Sequence, residues 1–101
     1  MTQSGHSPRA AWPVRENPDR RRFEVDLGDA CATAEYTLPG DMMMFTHTVV
    51  PPELEGRGIG SRLIEGALDD VRARGLRFVP LCSFVAGYAE RHPEVRDLLA
   101  R

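Results

Sequence analysis

Val49-Val50-Pro51-Pro52-Glu53-Leu54-Glu55-Gly56-Arg57-Gly58-Ile59-Gly60-Ser61-Arg62-Leu63-Ile64 takes an apolar strand into a glycine-rich loop and straight out into an amphipathic helix. That order sets several bare backbone N–H groups at a helix N-terminus, where the helix dipole also favours an anion. Gly56, Gly58 and Gly60 remove the Cβ atoms that would hold a bulky polyanion away from the backbone. A pyrophosphate suits such a cradle.

Working outward, the helix begins within residues 55–58 and runs to about residue 74. Ile59, Leu63, Ala67 and Val71 recur every four residues, and Ile64 and Leu68 widen the stripe. Asp70 and Arg74 form an i, i+4 pair on the polar side, and Gly75 ends the helix as a C-terminal cap. Upstream, residues 22–27 alternate apolar and charged with period two, and Gly28-Asp29 reads as a hairpin turn. A second strand follows at residues 31–38, ended by Pro39-Gly40. The third, residues 42–50, is nearly all apolar or β-branched, as a strand covered on both faces would be. Met42, Met43 and Met44 fall on both of its faces and read as core. After the helix, residues 76–82 form a strand that should lie parallel to the third and beside it. A short helix from Ser83 and a last one opening at Pro93 complete the chain. The expected class is α/β in the α+β sense: a three-stranded antiparallel meander, a long central helix, a parallel-paired fourth strand and short C-terminal helices.

With 101 residues there is room for one domain. Residues 1–18, with four prolines or glycines and little apolar content, read as a poorly ordered tail in which Trp12 alone has reason to dock. His6 there reads as a surface residue, and residues 19–101 form the domain. A net charge of −2 gives no general attraction to nucleic acid or anionic membrane. All 13 basic side chains are Arg, so the chain has no lysine of its own to acetylate. Cys31 and Cys82 are too far apart in sequence for a metal-ligand pair. No stretch approaches a membrane span or a signal peptide. The expected setting is therefore the reducing cytoplasm, with no metal site, no nucleic-acid partner and no membrane partner.

Three glycine-loop chemistries compete for the cradle. The phosphate loop of nucleotide hydrolases ends in Gly-Lys-Ser/Thr, which a chain without lysine lacks. The dinucleotide fingerprint needs a third glycine where this chain has Leu63 or Ser61. It also needs an acid about twenty residues on, where none stands. The third is a coenzyme A loop. Glu55-Gly56-Arg57-Gly58-Ile59-Gly60 resembles the loop of the GCN5-related N-acetyltransferases, which runs Gln or Arg, two residues, Gly, one residue, Gly or Ala. Glu55 is the departure, and it sets a carboxylate near the expected phosphates for Arg57 and Arg62 to offset. More narrowly, the chain resembles the very small YjdJ-type acetyltransferases. These have a His on the strand before the loop and a Cys at the end of the next strand, here Phe45-Thr46-His47-Thr48-Val49 and Val79-Pro80-Leu81-Cys82-Ser83. The resemblance runs on through Tyr88 to His92-Pro93-Glu94.

The resemblance implies acetyl-CoA as cofactor and an amine as acceptor. Backbone groups of Thr48, Val49 and Val50 would hold the pantetheine arm between two splayed strands, and the amides of Arg57, Gly58, Gly60 and Ser61 the pyrophosphate. His47 is the expected general base, since histidine changes charge near neutral pH. Its parity with Phe45 and Val49 equally allows a buried structural role. Cys82 either accepts the acetyl group or lines the tunnel. Tyr88 either protonates the departing thiolate or packs its ring, and His92 reads as a helix cap. Transfer to an amine stands against an acyl-CoA-binding module without transferase activity, and against an interaction domain with a vestigial loop. The acceptor itself is open, and the chain is expected as a monomer or weak homodimer.

Overall fold

The computed structural model describes residues 12–100; the first eleven residues of the expected tail, His6 among them, lie outside the described residues. Five strands form one sheet: β1 (Val14–Asn17), β2 (Arg22–Asp26), β3 (Cys31–Thr37), β4 (Met42–Val49) and β5 (Arg77–Pro80). They lie in that order, antiparallel from β1 to β4, with β4 and β5 parallel. The helix α1 (Ile59–Ala73) crosses from β4 to β5, and α2 (Ser83–Arg91) follows β5. Short 3₁₀ turns cover Pro18–Arg20, Pro52–Leu54 and Pro93–Leu98.

β1 corrects the sequence reading, which put residues 14–17 in the tail and began the domain at residue 19. Pro13 and Pro18 signal loop from either side. The four residues between them nevertheless pair with β2, Val14 opposite Val25 and Asn17 opposite Arg22. Val14 also explains a glycine inside α1: a Cβ on Gly66 would stand 2.6 Å from Val14 Cβ. Trp12 is partly buried against the core, and its carbonyl accepts a hydrogen bond from Arg62 Nε at 3.1 Å.

The helix α1 buries the stripe its spacing marked out: Ile59, Leu63, Ile64, Ala67, Leu68 and Val71. Leu63, Ile64 and Val71 are fully buried, each contributing roughly 1.5–3 kcal/mol relative to exposure. At the C-terminal end Leu76 N–H donates to Val71 O and Gly75 N–H to Arg72 O. Gly75 sits at φ +69°, the left-handed residue of a Schellman cap. The Asp70–Arg74 pair closes at 2.8 Å. Under the helix, Phe23, Tyr36, Phe45 and Phe78 make a chain of ring contacts with centroids 5.5 to 6.5 Å apart.

β4 is covered on one face, not both as expected. Met43 and Phe45 are fully buried on the helix side, whereas Met42 and Met44 are half-buried on the other. Among the described residues no helix lies over that second face. At the far edge, Leu99 bridges Phe78 in parallel and Ala100 N–H donates to Phe78 O at 2.9 Å, which extends the sheet beyond β5. No helix of the described residues is long and apolar enough to cross a membrane.

Candidate active site

Two irregularities of β4 build the site. The first is its parting from β5. Pairing runs from Met42–Arg77 to Phe45–Pro80 and stops; the next two amides, Leu81 and Cys82, both donate to Phe45 O at 3.1 Å. Beyond that point β4 keeps β3 on one side and has no strand on the other. The second is a bulge. Tyr36 pairs with Phe45 but Glu35 pairs with His47, so Thr46 is the extra residue, its hydroxyl donating to Glu35 O at 3.3 Å.

The bulge corrects the parity of His47. Simple alternation groups it with Phe45; the inserted residue moves it and Val49 to the open face, and leaves Thr48 on the helix side opposite Ala34. The His47 side chain is 73% exposed, with Nδ1 3.7 Å from Glu35 Oε1. It is therefore not a buried structural histidine.

Where β4 and β5 part, a cleft of about 460 Å³ opens on the helix side. That volume falls in the range of small-molecule sites. Thr48 and Val50 form one wall, and Glu55, Gly56 and Gly58 line the loop side. The first turn of α1 contributes Ile59, Gly60 and Ser61. Gly56 and Gly58 hold φ +82° and +83°, a left-handed backbone that glycine enters without strain. Gly58 is also the N-cap of α1; among the described residues no side chain caps the first-turn amides, and no acidic residue sits in that turn. Donors left without partners at a helix start, opening on a cleft, are what a pyrophosphate requires. The residues present fit coenzyme A in that respect.

Gly60 has a second duty. A Cβ there would lie 2.5 Å from Phe84 Cζ, so the ring of Phe84 rests on the bare backbone of α1 and closes the cleft from the α2 side. Arg91 lines the same wall. Sequence reasoning missed Phe84, Arg91 and Leu54, which also lines the cleft. The signal for the first two was their spacing of seven on α2, two turns along one face. The arginines expected to offset Glu55 do not line the cleft. Arg57 is exposed, and Arg62 is committed to the Trp12 carbonyl and to Glu65 at 3.0 Å.

The Cys82 thiol donates to Thr48 Oγ1 at 3.5 Å and so adjoins the cleft through Thr48 rather than lining it. Burial works against its ionisation, but hydrogen bonding from the Thr48 hydroxyl and from the backbone amides of Val85, Phe84 and Thr48 outweighs burial and brings its pKa down. Tyr88 is 4% exposed, its ring stacked on His92 at 3.9 Å, and it is absent from the cleft lining. His92 makes no side-chain cap; its Nδ1 meets Glu94 Oε2 at 2.9 Å. Thr48 and Cys82 are thus brought together, His47 stands across β4 from them, and Tyr88 does not line the cleft.

A sheet parted between two parallel strands over an uncapped helix start offers an anion site that opens on a ligand-sized groove. The family model of the GCN5-related N-acetyltransferases matches residues 22–98, and the chain belongs to that family. A GCN5-like candidate N-acetyltransferase from Staphylococcus aureus, solved in solution by NMR, has a similar fold, with a TM-score of 0.68. The similarity covers 97% of this chain and 91% of that one, at 22% sequence identity. No curated protein matches the chain.

Proposed function

We propose that the chain uses acetyl-CoA to acetylate an amine. The observation that carries this reading is the cleft at the β4–β5 parting, with unpartnered helix-start amides at one end and a thiol of lowered pKa beside the other. The amides of Arg57, Gly58, Gly60 and Ser61 hold the pyrophosphate, and the backbone of Thr48, Val49 and Val50 holds the pantetheine arm. Bound there, acetyl-CoA supplies an activated thioester carbonyl. Cys82 Sγ, as thiolate, would carry the acetyl group: its C–S bond would form as the thioester C–S bond breaks and coenzyme A departs as its thiolate, and would break, restoring the Cys82 thiolate, as the amine nitrogen bonds to the acetyl carbon. His47 Nε2 takes the proton that the amine loses. Tyr88, packed on His92, holds the end of α2 rather than moving a proton. The same reading puts the chain in the cytoplasm, as a monomer or weak homodimer, with residues 19–101 as its acetyl-CoA-binding part and β1 completing the sheet.

Thiol release from acetyl-CoA, followed with a panel of amines, should rise above background hydrolysis. Calorimetry that shows coenzyme A binding while no amine raises release makes the chain an acyl-CoA-binding module and removes the transferase reading. An acetyl adduct lost to neutral hydroxylamine is a thioester, since an N-acetyl amide survives that treatment. Cys82→Ala should abolish it, and an adduct that survives excludes Cys82 as carrier.

A further inference from the structure

The open face of the sheet around the β4–β5 parting bears three features with no structural duty. Val49 and Leu81, the last residue of β4 and the first beyond β5, are 52% and 60% exposed. Two large aliphatic side chains presented to water on either side of one opening form an apolar rim. Two residues before Val49 on β4 stands His47, turned outward by the bulge, and beside His47 stands the carboxylate of Glu35. At 3.7 Å the Glu35–His47 contact is too long for a hydrogen bond, and it engages Nδ1 rather than Nε2.

The neighbouring charges restrict what fits. Glu24 lies on the same face one strand further, but it is already held by Arg22 at 2.7 Å, Arg15 at 3.3 Å and Asn17 at 3.0 Å. Among the described residues Glu35 forms no arginine ion pair, but Arg22 stands directly opposite it on β2 and Arg15 lies behind, both bound to Glu24. That arrangement attracts a single positive charge and repels a second.

We propose that this patch selects the acceptor, and that the acceptor is a monocationic primary amine on an apolar body, approaching from the open face while the cofactor occupies the helix side. The inference rests on the transferase reading above. Glu35 draws the ammonium in, His47 Nε2 receives one proton from it to leave the neutral amine, and Val49 and Leu81 hold the alkyl or aryl part. A polyamine or a lysine in a basic peptide presents more charge than the patch can match and less apolar surface than the rim can cover.

Thiol release with methylamine, butylamine, hexylamine, phenethylamine and spermidine tests it. The expected kcat/KM climbs about threefold per methylene that reaches the rim, and spermidine falls at least about tenfold below hexylamine. Leu81→Ser should raise KM for hexylamine several-fold and move methylamine little; Glu35→Gln should lower kcat/KM for every amine. A flat alkyl series, or spermidine as the best acceptor, overturns the proposal and leaves the transferase reading intact. Amide signals give an independent readout on the coenzyme A complex. If no amine is turned over, hexylamine shifts at His47, Val49 and Leu81 keep the acceptor site and remove the transferase. Absence of those shifts overturns the site itself.

Discussion

The two cysteines of this chain differ in electrostatic setting more than in burial. Cys31 is pushed up by burial, with the Glu24 charge adding to it. Cys82 is brought down because the hydrogen bonds around its sulfur exceed the cost of its burial. The thiolate is the nucleophile, so a lower pKa means a larger reactive fraction at neutral pH. Iodoacetamide followed by peptide mapping should therefore label Cys82 before Cys31, with the Cys82 rate reaching its plateau at lower pH. Thr48→Val should move that titration upward, and a chain in which Cys31 labels first contradicts the assignment. Cys82 and His47 were legible in the sequence as candidates, but their settings were not. His47 followed from its place before the loop, yet its face was hidden, because a bulge leaves no mark on an apolar alternation that includes Phe45, His47 and Val49. Arg62 looked available on its helix, and only the folded chain brings the Trp12 carbonyl to it.

At the scale of elements, local rules account for α1 well and its neighbours poorly. Apolar spacing gave its buried face, and Gly75 gave its end, since both depend on residues within a few turns of one another. The duties of its two interior glycines depend on partners far along the chain, Val14 for Gly66 and Phe84 for Gly60, which no window of sequence contains. Gly60→Ala separates those levels. Alanine favours helix by up to about 1 kcal/mol, while its Cβ displaces the far end of a ring that can swing aside, so overall stability should change by less than about 1 kcal/mol. The displaced ring moves into the cleft, and coenzyme A affinity should fall about tenfold, equivalent to about 1.4 kcal/mol. Phe84→Ala in the same chain should restore part of that loss. Calorimetry checks both; unchanged affinity in Gly60→Ala breaks the link between the ring and the cofactor cleft.

For the whole molecule, the meander and the parallel crossover were readable because short turns and a helix of crossover length leave few ways to connect consecutive strands. The first strand escaped because prolines bracket it and four residues are too few to show a period. Its contribution is nonetheless substantial. Val14 fills the gap over Gly66, Tyr36 donates to Glu16, Arg74 pairs with Glu16 at 3.1 Å, and Arg62 is anchored by Trp12. Deleting residues 1–17 should lower unfolding free energy by about 2–4 kcal/mol, measured by urea titration, while a loss within error makes β1 an ornament. The deleted segment also contains Trp12, the chain's single tryptophan. Its carbonyl ties that segment to Arg62 of α1, its side chain is partly buried against the core, and it makes no ring pair with Phe23, Tyr36, Phe45 or Phe78 among the described residues. Emission excited at the red edge is therefore a private optical channel for one seam, while near-ultraviolet dichroism from the other rings follows the body of the protein. In a denaturant series the two spectra will part company if the first strand peels away ahead of global unfolding.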